Sequence, residues 1–131
     1  LYNDKTNAFV AAYTAKTGKS AAESYAMEAY DSIMILAEAM KIAGSTEGDA
    51  IVTALENITY QGVLGEITFP YNSANPPATA GVPDYFWHQF PNPAVTMVQY
   101  QAPGQLAADA PNVFPPVYKT GEPIWPASVQ Q

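Results

Sequence analysis

The longest regular pattern of apolar and polar positions in the chain runs from Glu23 to Gly44. Apolar residues recur there at spacings of three and four, which predicts an α-helix with one apolar stripe on its core face. A polar face lies opposite, and isoleucines interrupt it, so the pattern indicates a mostly buried helix. A start just after Tyr25 is favoured, and Gly44 closes the helix. The stripe consists of Tyr30, Ile33, Met34, Ala37 and Met40, and the polar face of Glu28, Asp31, Ser32, Glu38 and Lys41, broken by Ile35 and Ile42.

Two shorter helical patterns flank this central one. The first begins at Asn3 or Asp4, which can cap it, and ends at Gly18. The other begins near Thr46 and stops near Asn57, with acidic residues in its first turn. Their predicted apolar faces are Phe9, Val10 and Tyr13 in the first, and Ile51, Val52, Leu55 and Ile58 in the second.

After the third helix the pattern changes to strands, loops and an extended tail. A turn is predicted at Gln61 to Gly65 and a short strand at Glu66 to Phe69. Pro70 to Pro83 is rich in turn formers and predicts a loop, whereas Val95 to Tyr100 alternates as a strand. We therefore divide the chain into an α/β part at 1–69, a loop and strand at 70–101 and a proline-rich tail. The tail spans 102–131, with a short extended piece at Asn112 to Phe114.

Composition restricts the protein class. The chain has 131 residues and a mass of 14.0 kDa, which predicts one compact unit. Its formal net charge is −7 and it has no arginine, so nucleic acid is not an expected partner. It has no cysteine, which excludes disulfides and thiol chemistry. No apolar run is long enough for a membrane span, and the first residues lack a signal-peptide pattern, so the chain is either mature or lacks its true beginning.

The ratio of helices to strands predicts an incomplete fold. Two or three buried helices need a sheet to cover, yet few strands are predicted, and the proline-rich tail has too little apolar surface to fold alone. The expected fold class is α/β: part of one lobe, with helices on a mostly parallel sheet, followed by the extended tail. We therefore expect the chain to be part of a larger protein.

Three sequence stretches occur in a distinctive order: AYDS at residues 29–32, AGS at 43–45 and QGVLGEITF at 61–69. Together they resemble the C-terminal part of type I periplasmic solute-binding proteins, the leucine/isoleucine/valine-binding-protein-like family of ABC importers. The resemblance covers about Asn3 to Phe69, and more loosely the strand at Val95 to Tyr100. The matching positions are Phe9, Tyr13, Tyr25, Ala29 to Ser32, Ala37, Ala39, Ala43 to Ser45, Ala54, Leu55, Gly62 to Gly65, Ile67 and Phe69.

The resemblance implies a non-catalytic ligand-binding protein, exported to the periplasm or cell exterior, without a cofactor. Its lobes would close on a small solute, as in a Venus flytrap, and it would then dock on the membrane permease of an ABC importer. The remaining N-terminal part of the same protein would complete the fold. An amino acid, amide, urea or small aromatic acid could be the solute. A ligand-sensing domain of a receptor or regulator on the same fold is the alternative.

Residues that could carry chemistry are few. His88 is the only histidine, so no histidine pair can hold a metal, and a loop anchor is the favoured role for it. Glu28 and Asp31 could form a carboxylate pair, although acidic residues are common in the first turn of a helix. A small hydrolytic enzyme using Glu28, Asp31 and His88 is therefore the least favoured hypothesis.

Tyr25 is the main candidate binding residue. From the residues alone, an aromatic side chain before a helix is most often part of the core. In the resembling family, however, the corresponding aromatic lines the cleft between the lobes. The resemblance therefore implies that Tyr25 contacts the solute. Glu28, a carboxylate in the first turn of the same helix, is the second candidate binding residue, and we assign no catalytic or metal-binding residue.

Overall fold

The computed structural model describes residues 3–21, 25–91 and 95–126. They fall into two compact units, residues 1–93 and 94–131, where composition predicts one. Each of the two units has its own antiparallel strand pair, so the second is more than an extension of the first.

Three α-helices account for most of the regular structure in the first unit. They are α1 (Asp4–Thr17), α2 (Ala26–Ala43) and α3 (Gly48–Glu56), which confirms the three predicted helices and the late start of α2. Asn3 caps α1, and Gly18 and Gly44 end α1 and α2 in the left-handed conformation. A single turn, α4 (Pro77–Ala80), lies in the segment that was predicted to be a loop, and a 3-10 turn (Asp84–Phe86) follows that segment.

A tight β-hairpin follows α3. Strands β1 (Tyr60–Gly62) and β2 (Gly65–Ile67) pair antiparallel, with Tyr60 opposite Ile67. The first strand therefore lies partly within the predicted turn, and the second starts and ends earlier than predicted. Gly65 has a φ of 102°, a conformation that favours glycine and reverses the chain in very few residues.

The core of this unit lies where α2 meets α3 and the hairpin. One cluster of buried side chains joins α2 to the hairpin, and a second joins α2 to α3 through small residues that let the two helices approach closely. The first cluster is Ile35, Ile58 and Ile67, and the second is Ala39, Ile51 and Ala54.

Among the described residues, the prediction of which face of α2 is buried was wrong. Its buried positions are Asp31, Ile35 and Ala39, which follow one another at a spacing of four on the face that was expected to be polar. The predicted stripe is largely exposed: Tyr30 at 42%, Ile33 at 68% and Met34 at 40%, with Ala37 exposed and Met40 half-buried. The helix has two apolar sides, and α3 and the hairpin occupy the side that periodicity ranked second.

The turn of the hairpin is held from both sides. The N-terminal turn of α1 binds its carbonyl groups: Asn3 Nδ2 donates to Gly62 O at 3.0 Å and Thr6 Oγ1 to Val63 O at 2.6 Å. From α2, Asp31 accepts the N–H groups of Val63 at 2.9 Å and Leu64 at 2.8 Å. A backbone turn with few strand hydrogen bonds of its own thus gains partners from two helices.

This arrangement predicts a specific effect of Thr6→Val. The substitution preserves side-chain shape but removes the buried hydroxyl that donates to Val63 O. A buried carbonyl left without its donor costs about 1–3 kcal/mol, so the free energy of unfolding should fall by that amount in urea titrations. The control is Thr53→Val, where an exposed hydroxyl bonds a carbonyl within α3 and the change should stay within about 0.5 kcal/mol. Equal effects of the two substitutions would contradict the assigned role of Thr6.

The second unit is built on a two-stranded hairpin with an extended segment beside it. Strands β3 (Met97–Val98) and β4 (Asn112–Phe114) are antiparallel, and both lie in the segments predicted to be extended. The amide side chain of Gln99 bonds both the N–H and the carbonyl of Ile124, at 2.7 and 2.9 Å. Short 3-10 turns at Ala107–Asp109 and Pro116–Tyr118 complete it.

The fold class is confirmed only as mixed helix and small sheets. Both sheets among the described residues are antiparallel pairs, and the predicted parallel sheet is not found there. Four large apolar residues could anchor the tail: Val113, Phe114, Tyr118 and Trp125. Within the second unit Val113 and Tyr118 are half-buried, whereas Phe114 and Trp125 are 53% and 57% exposed.

Candidate functional site

Tyr25 lies at the start of α2 with its ring open to solvent. It is the N-cap residue, its carbonyl accepts the N–H of Ala29 at 3.0 Å, and its side chain makes no capping hydrogen bond. The residue is 85% exposed, so within this unit its ring is not part of the core. An exposed tyrosine fixed at a helix start can present an apolar ring face and one hydroxyl to a ligand.

Glu28 lies in the first turn of the same helix and is also exposed. Side chains three positions apart on a helix are neighbours, so Glu28 and Tyr25 open onto the same region. The backbone carbonyl of Glu28 accepts a hydrogen bond from the hydroxyl of Ser32 at 2.7 Å, and this bond does not involve the Glu28 carboxylate. The two predicted binding residues therefore form one accessible patch at the start of α2. Whether a solute contacts them stays a prediction.

Asp31 does not belong to that patch. It is 1% exposed, and each carboxylate oxygen accepts one backbone N–H from the hairpin turn. The sequence placed it on a polar face beside Glu28, but its role is to bind the hairpin to α2. A carboxylate pair of Glu28 and Asp31 is thus excluded, because one member is solvent-exposed and the other is enclosed.

His88 is a loop anchor, as predicted, and its partner is the last residue of α3. Its Nε2 lies 2.7 Å from Glu56 Oε1, so the imidazole donates to the carboxylate. The same oxygen accepts the hydroxyl of Ser73 at 2.7 Å and the N–H of Ser73 at 3.1 Å. Glu56 therefore holds two separate points of the loop on α3.

These contacts change the acidity of Glu56. The hydrogen bond from the Ser73 side chain, followed by the one from His88, lowers the pKa of the Glu56 carboxyl below its ordinary value of 4.5. A small cavity of about 90 Å³ lies beside it, lined by Val52, Leu55, Glu56, Phe69 and His88. Most of this lining is apolar, so Glu56 and His88 are its polar edge.

The arrangement does not match a nucleophilic site. In a serine-based triad the imidazole lies between the hydroxyl and the carboxylate, whereas here the carboxylate of Glu56 lies between Ser73 and His88. Glu28, Asp31 and His88, the residues of the enzyme hypothesis, have separate surroundings. No group of metal-binding side chains occurs within the part of the chain that the structure describes.

The sequence analysis missed Glu56 and Ser73. Glu56 is the last residue of a helix, where a carboxylate is unfavourable beside the negative helix end, and that mismatch was the available signal for a specific partner. Ser73 lies in a loop of turn-forming residues and carried no signal of its own.

A comparison with protein families decides the class. The family model described as periplasmic binding protein matches residues 1–82, more than half of the 131-residue chain. The chain belongs to the periplasmic binding protein family. The match confirms the resemblance to type I binding proteins of the leucine/isoleucine/valine type, and it covers all three helices, the hairpin, Tyr25 and Glu28.

Proteins of the periplasmic binding protein family bind ligands and are generally not enzymes. No individual curated protein and no solved structure matches this chain significantly. Of the helices in residues 3–21, 25–91 and 95–126, none has the length and apolar content to cross a membrane.

Proposed function

We propose that this periplasmic binding protein chain is the C-terminal part of an exported solute-binding protein, which delivers a small solute to the membrane permease of an ABC importer. The observation that carries the proposal is the family match over residues 1–82. The features of α2 support it, because one side of this helix carries a largely exposed apolar stripe, and an accessible aromatic and a carboxylate lie at its start.

The apolar stripe of α2 supports a missing partner layer. A helix on the surface of a globular protein usually exposes polar side chains. Here, however, Tyr30, Ile33 and Met34 are each at least 40% exposed in the unit. In an α/β lobe a helix of this kind covers a sheet. We assign that sheet, mostly parallel, to the remaining N-terminal part of the same protein.

The solute would bind at the start of α2. Connections between strands and helices border ligand crevices in open α/β sheets, and Tyr25 and Glu28 occupy such a position once the sheet is complete. The ring would form an apolar wall, and the carboxylate would accept hydrogen bonds from a polar or cationic group of the solute. An amino acid, an amide or a small aromatic acid has both kinds of surface.

Transport would use closure of the two lobes. A solute that contacts both lobes stabilises the closed arrangement more than the open one, so its binding shifts the population toward closure. The permease would then recognise the closed form. The chain contributes one wall of the cleft in this mechanism and performs no covalent chemistry.

Calorimetry on the complete protein tests the site. Tyr25→Ala should weaken solute binding by about 1–3 kcal/mol, roughly 5- to 150-fold in Kd, because the apolar contact with the ring is lost. The melting temperature without solute should stay near that of the wild type, since Tyr25 is 85% exposed and outside the core.

Two further variants serve as controls. Tyr25→Phe keeps the ring and should retain most of the affinity. Tyr85→Ala removes another exposed tyrosine, 73% accessible, from a position outside the proposed solute site. If Tyr25→Ala binds solute as tightly as Tyr85→Ala does, the proposed site is wrong.

A further inference from the structure

The segment from Tyr71 to His88 forms a loop whose ends meet. His88 donates its N–H to the carbonyl of Tyr71 at 2.9 Å, and the rings of Tyr71 and Phe86 lie 5.6 Å apart. A loop with joined ends and internal contacts can move as one body relative to the helices. We call residues 71–88 the closed loop. Its final part, from residue 83 onward, lies beyond the residues that the family model matches.

Among the described residues, the hydrogen bonds between the closed loop and α3 all go to Glu56. The carboxylate oxygen Oε1 accepts from Ser73 N, Ser73 Oγ and His88 Nε2, at 3.1, 2.7 and 2.7 Å. The backbone carbonyl of Glu56 accepts from Asn72 Nδ2 at 2.9 Å. Both ends of the loop therefore bond the last residue of α3, through its carboxylate and its backbone carbonyl.

The backbone at His88 adds a second, independent observation. Its φ is 56°, in the left-handed region that a histidine adopts at a conformational cost. Such a conformation persists only when surrounding contacts enforce it, and His88 contacts the carbonyl of Tyr71, the carboxylate of Glu56 and the ring of Trp87, whose centroid lies 4.8 Å from that of the imidazole. The docked loop therefore keeps His88 in a backbone conformation that this residue would otherwise avoid.

We propose that Glu56, Ser73 and His88 form a latch that holds the closed loop on α3, and that the loop is released when Glu56 loses its negative charge. Release uncovers the apolar lining of the 90 Å³ cavity at Val52, Leu55 and Phe69, since Glu56 and His88 form its polar edge. The latch is distinct from the solute patch at Tyr25. The proposal of a latch therefore does not depend on whether that patch binds a solute.

Acid is the expected trigger, because His88 is the one other titratable side chain that acts on Glu56 among the described residues. The side chains that act on its carboxylate are Ser73 and His88, and the rest of the cavity lining is apolar. No lysine or arginine occurs between Lys41 and Lys119 in the sequence. The pKa of Glu56 is lower in the docked state than its ordinary value, so the stabilisation is present above pH 4.5 and is lost as the pH falls through the depressed value.

Hydrogen exchange on the full chain tests the latch. In Glu56→Gln the charge is absent, and amides of the closed loop should exchange at least about tenfold faster, because a hydrogen bond to a charged acceptor is stronger than one to a neutral amide. Amides of α2 and the β1–β2 hairpin should keep wild-type rates. Glu47→Gln, which removes an exposed charge from the other end of α3, is the matched control and should leave the loop unchanged.

A pH series separates a latch from ordinary loop stability. Between neutral pH and about pH 3, wild-type loop exchange, corrected for the intrinsic rate, should rise in one step that Glu56→Gln lacks. His88→Asn, which tolerates the positive φ but cannot reach Glu56, should speed loop exchange at neutral pH. Wild-type loop protection in Glu56→Gln, or the same pH step in that variant, would overturn the proposal. Should Glu56→Gln unfold globally, Ser73→Ala, which removes one donor, takes its place, and unchanged loop exchange there would have the same meaning.

Discussion

We expect Asp31→Ala to lower the free energy of unfolding of this chain by about 3–5 kcal/mol, the largest effect of any single substitution considered. Asp31 is 1% exposed, and its two oxygens bind the N–H groups of Val63 and Leu64 at 2.9 and 2.8 Å. Truncation leaves both donors without their acceptor and opens a cavity. Each lost partner costs about 1–3 kcal/mol, and the cavity adds to that sum.

The same site predicts a graded series. Asp31→Asn keeps one acceptor oxygen but places a side-chain NH2 donor opposite the second backbone N–H donor. Its loss of unfolding free energy should therefore be smaller than that of Asp31→Ala and still well above 1 kcal/mol. Gly62→Ala should also destabilise, because a Cβ at Gly62 would lie 2.6 Å from Asp31 Cγ.

Glu28→Gln provides the matched control for Asp31. It removes a carboxylate from the same helix at an exposed position and should change stability by no more than about 0.5 kcal/mol. Urea unfolding followed by circular dichroism gives all four values. An Asp31→Ala effect as small as that of Glu28→Gln would contradict the assigned role of the buried carboxylate.

The second large effect concerns the exposed stripe of α2. Ile33→Glu should hardly change the stability of this chain, because Ile33 is 68% exposed. In the complete protein the same substitution should cost several kcal/mol or prevent folding, since the proposed sheet would bury an unpaired charge. The difference between the two backgrounds is the expected result.

Ser32→Glu is the control for the stripe. It places the same charge on an exposed position of α2 next to Ile33 but outside the stripe. Thermal unfolding of both variants in both backgrounds makes the comparison. If Ile33→Glu in the complete protein melts as Ser32→Glu does, the stripe does not pack on the remainder of the protein.

The positions of the helices followed from the sequence because their signals are local. Asn3 and the glycines Gly18 and Gly44 stop or start helices through their own side chains or backbone preferences. The buried face of α2 did not follow, because both sides of the helix are apolar and periodicity alone cannot say which side meets α3. The stripe that periodicity preferred is the one for which we propose the missing sheet.

The contacts that fix the hairpin and the closed loop were beyond sequence reasoning for a different reason. Two hydrogen bonds, Asp31 with Val63 and Glu56 with His88, each join residues 32 positions apart. The local sequence around either carboxylate does not predict its partner. His88 was correctly expected to anchor a loop, since a lone histidine among aromatics has few other roles, but Glu56 was not identified. Tyr25 was selected by family resemblance and Glu28 as a carboxylate in the first turn of α2, and the exposure of both is compatible with a role in ligand binding.

Native mass spectrometry of the complete protein, purified from its own host without added ligand, tests the central claim most directly. The account predicts that the wild type carries one small molecule, with a mass in the range of an amino acid, an amide or a small aromatic acid, and that Tyr25→Ala has largely lost it. The proposed solute-binding role would be contradicted if the folded wild type carried no small molecule and its mass spectrum matched that of Tyr25→Ala in this respect.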